Sequence, residues 1–118
     1  DEYLDFDMDE SLIDDNYMVV FACDADRPIG LTEAKIRDYG EGCETSPVGY
    51  LEGWFVQEEY RGKGIVGIMT QAAENWIREK GCTEVASDTW LDNEPSIRAH
   101  VKMGYTEVER LVHYVKQL

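Results

Sequence analysis

Cationic side chains are scarce in this sequence: 11 Lys and Arg stand against 25 Asp and Glu, giving a net charge of -14 at pH 7. A surface of that sign repels nucleic-acid phosphates and steers cations toward itself, so nucleic acid is not an expected partner. The same acidity also serves solubility alone. Long apolar runs are missing too. The longest purely apolar or aromatic stretch, Tyr17 to Cys23, falls far below the roughly 20 residues a helix needs to cross a bilayer. The acidic N-terminus has no basic region leading into an apolar one, which is not the pattern of a secretory signal. A cytoplasmic setting without a membrane partner is the expectation. Cys23, Cys43 and Cys82 are odd in number and form no C-x-x-C pair, and His100 and His113 have no Cys or His at ligand spacing. Neither a disulfide framework nor a metal is expected.

What is present is the balance of an ordinary globular protein, 43% hydrophobic and 31% charged. Its 118 residues suffice for one domain, 1–118, with a core of its own. Between Asp1 and Asp15, Leu4, Met8 and Leu12, with Phe6 and Ile13 nearby, recur at helical spacing among carboxylates, predicting a short acidic helix. Tyr17–Cys23 reads as a strand, Asp24–Pro28 as a turn, and Ile29–Arg37 as its hairpin partner. In that partner Leu31, Glu33, Lys35 and Arg37 lie on one side and Thr32, Ala34 and Ile36 on the other. The polar loop Asp38–Pro47 fits a binding-site wall and a plain connector equally. A third strand, Val48–Val56, carries Gly49 and Gly53, glycines of the kind that mark bulges or close backbone approach.

The clearest helix runs from Ile65 to Lys80, with Ile65, Ile68, Met69, Ala72, Ala73, Trp76 and Ile77 on one face and Gly81 at the capping position. A buried strand over Thr83–Trp90, a helix over Asn93–Met103 and one bent or two short strands over Tyr105–Val115 complete the pattern. Antiparallel strands followed by β-α-β units imply an α/β (α+β) fold with a mixed, mostly antiparallel central sheet flanked by helices.

The chemistry concentrates between the third strand and the long helix. Gln57–Ile65 joins them directly, the arrangement that presents free backbone N–H groups to an anion. Gly62 and Gly64 allow close approach, and Arg61 and Lys63 supply a local positive cluster in a very acidic chain. The spacing is neither that of a P-loop nor G-x-G-x-x-G. A plain glycine turn before a helix is the other reading of the same residues. Glu52 falls two residues before Trp54, on one face by alternation, an acidic and aromatic pair suited to a cationic amine. A carboxylate between apolar residues in a central strand is costly to bury without purpose, although a surface position would also account for it. Asp88 lies near the C-terminal end of the next strand, where open sheets place ligands.

These residues resemble the GNAT acetyltransferase superfamily, whose signature [Q/R]-x-x-G-x-[G/A] follows a splayed central strand and binds the pyrophosphate of acetyl-CoA. Arg61-Gly-Lys-Gly64-Ile-Val66 matches it, with Val66 in place of the usual Gly or Ala. A second signature is met by Asn93, Ser96, His100 and Gly104-Tyr105, with His100 where a Tyr that protonates the departing thiolate is common. A narrower resemblance, to aminoglycoside 6'-N-acetyltransferases, rests on Ser46–Val56, Ala86-Ser-Asp88 and Glu107–Tyr114. A branch of those enzymes with His in place of Tyr would account for His100.

The resemblance implies acetyl-CoA as cosubstrate, held by Phe55, Val56, Arg61, Gly62, Lys63, Gly64, Val66, Asn93 and Ser96. It further implies a cationic aminoglycoside acceptor at Glu52, Trp54 and Asp88, and catalysis by Glu52, Asp88 and His100. His100 is either the general acid or a structural hydrogen-bonding residue. The resemblance also implies a homodimer, and a strand and helix ahead of Asp1 that this sequence does not supply. Acetylation of a protein, peptide or polyamine amine, or binding of acyl-CoA without catalysis, are the alternatives.

Overall fold

A computed structural model describes residues 7–118. The strands are β1 (Asp7–Asp14), β2 (Tyr17–Asp24), β3 (Arg27–Arg37), β4 (Val48–Val56) and β5 (Val85–Ser87), with helices α1 (Ile65–Glu79) and α2 (Glu94–Lys102). Among the described residues the strands form one sheet in sequence order, antiparallel from β1 to β4 and parallel between β4 and β5. The mixed sheet, the β2–β3 hairpin and both helices match the sequence expectation.

Three expectations fail. The acidic segment is a strand over Asp7–Asp14, paired through Met8↔Ala22 and Leu12↔Met18, and not a helix. Leu4, Phe6, Met8 and Leu12 satisfy a period of two as well as they satisfy a helical one. The turn at Asp14-Asp15-Asn16, where the Asp14 carboxylate accepts the Asn16 amide at 2.7 Å, decides for a hairpin. Residues 1–6 of the expected helix lie outside the described residues. The strand expected over Thr83–Trp90 is only Val85–Ser87, because parallel pairing with β4 stops at Leu51. Residues 105–118 form no strand: Val108, Leu111, Val112, Tyr114 and Val115 are exposed, and the unit they belong to, Thr89–Leu118, holds no strand edge for them to pair with.

The other compact unit ends at Asp88 and contains the whole sheet and α1. Its core is one sheet face, with Met18, Val20, Ala22, Ala34 and Leu51 all buried, closed by Met69, Ala73, Trp76 and Ile77 of α1. Gly49 permits this approach, since a Cβ there would come within 2.4 Å of the Ile77 side chain. Alternation places Tyr17, Glu33, Arg37 and Tyr50 on the face opposite α1. No described helix is long and apolar enough to cross a membrane.

Candidate active site

β5 covers β4 only from Gly49 to Leu51. At the next residue the β3–β4 register shifts: Glu33 opposes Gly53 and Ala34 opposes Leu51, so Glu52 is the extra residue of a bulge. A bulge bends its strand, and among the described residues Glu52–Val56 have a strand partner on the β3 side alone. The Gln57 amide donates to the Ile29 carbonyl at 2.8 Å, which makes the Leu31–Phe55 pair, two residues back, hydrogen-bonded as well. The main-chain groups of Trp54 and Val56 therefore point to the open edge, and those of Phe55 into the sheet. Of the two residues expected to offer amides to a thioester, the register favours Val56; Trp54 joins it.

At the end of β4 the chain enters a 3-10 turn, Glu58–Tyr60, tied to the β2–β3 hairpin. The Tyr60 hydroxyl donates to Asp24 at 2.5 Å and accepts from Arg27 at 2.8 Å. Arg61 then donates from Nε to the Val56 carbonyl at 2.7 Å and lies 5.5 Å from the Phe55 ring centre. Gly62 and Gly64 follow with φ of 75° and 81°, left-handed conformations that a side chain would strain. Gly64 is the N-cap of α1 and offers no side-chain acceptor, so the first-turn amides of Ile65, Val66 and Gly67 have no cap. A Cβ built on Gly62 or Gly64 would meet nothing within 4 Å among the described residues, so the turn itself borders open space. Uncapped donors, an open approach, the helix dipole and Lys63 together fit a pyrophosphate.

On the face opposite α1, Arg37 makes a bidentate ion pair with Glu52, from Nε to Oε2 at 2.9 Å and from Nη2 to Oε1 at 2.8 Å. The same guanidinium lies 3.7 Å over the Tyr50 ring, and the Tyr50 hydroxyl donates to Asp88 at 2.6 Å. Burial, followed by the bond to Asp88, drives the Tyr50 phenol far above its usual range. It remains a donor, and one Asp88 oxygen stays committed to it. Tyr17 donates to Glu33 beside this group, and that bond, with burial second, pushes its phenol up to about 12. Glu52, Trp54 and Asp88 are the residues the sequence singled out for an acceptor, and the structure joins Glu52 to Arg37 and Asp88 to Tyr50. Arg37, Tyr50, Glu33 and Tyr17, which the sequence did not single out, stand beside them, although the alternation of β3 already put Glu33 and Arg37 on one side.

The loop between β3 and β4 is clamped to β5 by Glu84, whose Oε1 accepts the amides of Glu44 and Thr45, each at 2.8 Å, and the Thr45 hydroxyl at 2.5 Å. The Thr45 hydroxyl first, and its amide second, hold the Glu84 carboxyl below its ordinary value. A depressed carboxylate contributes fully above the ordinary range and loses that contribution as pH falls through the folded value. Glu84→Gln is expected to lower hydrogen-exchange protection of the Glu44 and Thr45 amides at neutral pH. In the native chain the same protection should fade as the pH falls through that depressed value. Unchanged protection in the variant would remove Glu84 from this role.

In the second unit, Asn93 caps α2 by accepting the Ser96 amide at 3.2 Å. His100 Nδ1 lies 2.8 Å from the Ser96 carbonyl, which only accepts, so Nδ1 carries a hydrogen. A neutral His100 therefore has Nε2 as an acceptor, and only the imidazolium has a proton to give there. Tyr105 packs edge-on against the ring at 5.7 Å. Among the described residues no group of His, Cys, Asp or Glu is arranged to hold a metal.

A mixed sheet splayed at a bulge, with an uncapped glycine turn opening the following helix, defines the coenzyme A-dependent acyltransferase class. The chain belongs to the acetyltransferase (GNAT) family, whose sequence model matches residues 1–105. It is 39% identical over 110 residues to an aminoglycoside N(6')-acetyltransferase type 1 of Stenotrophomonas maltophilia, covering 92% of this chain and 72% of that protein. It is 43% identical over 90 residues to the type 1 enzyme of Klebsiella aerogenes, covering 76% of this chain and 59% of that one. Among solved structures, AAC(6')-Iy with the bisubstrate analogue CoA-S-monomethyl-acetylneamine superposes with a TM-score of 0.83 at 37% identity, over 89% of this chain and 72% of that one. AAC(6')-Ih from Acinetobacter baumannii gives 0.80 at 40% identity, over 90% and 74%.

Proposed function

We propose that this chain transfers the acetyl group of acetyl-CoA to the 6'-amino group of aminoglycosides, the activity that confers resistance to these antibiotics. The observation that carries the reading is the open edge of β4, with an uncapped helix N-terminus at one end and the Glu52–Arg37–Tyr50–Asp88 group at the other. Acetyl-CoA supplies an activated thioester. The amides of Ile65, Val66 and Gly67, with Gly62, Lys63 and Gly64, would bind its pyrophosphate, and Arg61 braces that turn against Val56. The outward amide of Val56 would stabilise charge on the carbonyl oxygen, and such a donor is worth roughly 3 kcal/mol in a transition state.

Asp88 and Glu52 would hold the ammonium form of the acceptor, with Trp54 beside them, and Asp88 would take the amine proton directly or through water. In the second unit Asn93 and Ser96, joined as cap and first turn of α2, are assigned to coenzyme binding, and His100 as imidazolium to giving its Nε2 proton to the leaving thiolate. A net charge of -14 draws a polycation by long-range attraction. A cytoplasmic homodimer belongs to this reading: acetyl-CoA is a cytoplasmic metabolite, the three cysteines are unpaired, and the exposed Leu111, Val112 and Val115 give a partner copy apolar surface to cover.

The test is thiol release from acetyl-CoA with kanamycin, tobramycin, a polyamine and a lysine peptide as parallel acceptors. Release is expected with the aminoglycosides. Release only with the polyamine or peptide reassigns the acceptor. Coenzyme binding with no release reassigns the chain as a non-catalytic acyl-CoA-binding protein.

A further inference from the structure

Arg37 is the last residue of β3 and has no place in the expected site, yet it touches both halves of it. Its guanidinium uses two parallel bonds to fix the plane of the Glu52 carboxylate, a geometry Lys cannot reproduce. The face of the same group lies 3.7 Å from the centre of the Tyr50 ring, and Tyr50 directs its hydroxyl at Asp88. Glu52 sits in a bulge without β5 beside it, and Asp88 follows the last residue of β5, so the strand backbone alone fixes neither carboxylate. With 39% of the Arg37 side chain and 24% of Glu52 exposed, the pair adds little to global stability.

We infer that Arg37 is a positioning residue, one cation that orients Glu52 directly and Asp88 through Tyr50 so that both carboxylates meet the incoming amine. The inference rests on the acceptor site proposed above. Two of the Glu52 lone-pair directions are taken by Arg37, leaving the others for the acceptor ammonium, and the Asp88 oxygen not bonded to Tyr50 remains open to the proton. Glu52 and Asp88 are thereby held in different states of engagement.

Arg37→Met is expected to lower kcat for an aminoglycoside at least about tenfold with the KM for acetyl-CoA within about twofold, and Arg37→Lys to recover only part of the loss. Tyr50→Phe combined with Arg37→Met should be no slower than the worse single variant, because the two act in one relay. Full multiplication of the two penalties, complete rescue by Lys, or native kcat in Arg37→Met would overturn the inference. Crystal structures decide the geometry without an acceptor: the Tyr50–Asp88 hydrogen bond is expected to be lost in Arg37→Met, and its survival in place refutes the relay. A native chain without turnover on aminoglycosides overturns the proposed function instead, and the crystallographic comparison still decides on Arg37.

Discussion

Asp88→Asn is expected to slow turnover on an aminoglycoside by about 10²-fold or more, the scale of a lost general base, while acetyl-CoA binding stays within about twofold. The residue is exposed just after β5, and among the described residues one of its oxygens is bonded, to the Tyr50 hydroxyl at 2.6 Å. An amide keeps the size and still accepts from Tyr50, but it neither takes a proton nor pairs with an ammonium. Stability should move by no more than about 0.5 kcal/mol, as for other surface changes, so kinetics and thermal unfolding separate the two effects. Glu52→Gln should cost less, about tenfold, because the paired Arg37 already spends part of that carboxylate's charge before any acceptor arrives. Steady-state kinetics of both variants with kanamycin tests the order. Native turnover in Asp88→Asn removes that residue from the chemistry, and a larger loss in Glu52→Gln exchanges the two roles.

That ranking was not legible in the sequence, and the reason is physical. Alternation assigns a residue to a face, and it correctly separated Glu33 and Arg37 from Thr32, Ala34 and Ile36. It says nothing of which residues on neighbouring strands meet, because that depends on register. The bulge at Glu52 offsets β4 against β3, where Arg37 reaches Glu52, and the separate parallel register of β4 with β5, Tyr50↔Ala86, puts Asp88 within reach of Tyr50. The geometry of the glycine turn was legible for the opposite reason. It is made of consecutive residues, a strand end, two glycines and a helix start, so local spacing contains nearly all of it. The acidic segment misled because its apolar residues satisfy both periods, and only the turn at Asp14–Asn16 distinguishes a hairpin from a helix. The segment Tyr105–Val115 misled because a strand is not a property of a segment alone, and no edge within its unit pairs with it.

Gly64→Val should raise the Kd for acetyl-CoA by roughly ten- to a hundredfold and leave the fold intact. At φ of 81° a side chain costs about 1–2 kcal/mol in backbone strain, and a β-branched one has the fewest rotamers with which to relieve it. Among the described residues, its two chain neighbours apart, no atom stands within 4 Å of an added Cβ, so that carbon meets open space. The penalty falls on the ligand in two ways. Relief of the strain turns the N-cap out of the conformation that aims the Ile65, Val66 and Gly67 amides outward, and the valine methyls occupy the approach a phosphate would use. Each amide–phosphate bond lost is worth about 1.5–3 kcal/mol, since the acceptor is charged. Coenzyme A titration by calorimetry reads this directly, with no acceptor present. The expected pattern is weakened binding with kcat at saturating acetyl-CoA reduced much less, because the cradle holds a part of the molecule remote from the transferred group. Native affinity in Gly64→Val would mean that the pyrophosphate does not lie on the N-terminus of α1. Equal losses in affinity and in kcat would mean that the turn also sets where the thioester meets β4, through the brace from Arg61 to the Val56 carbonyl.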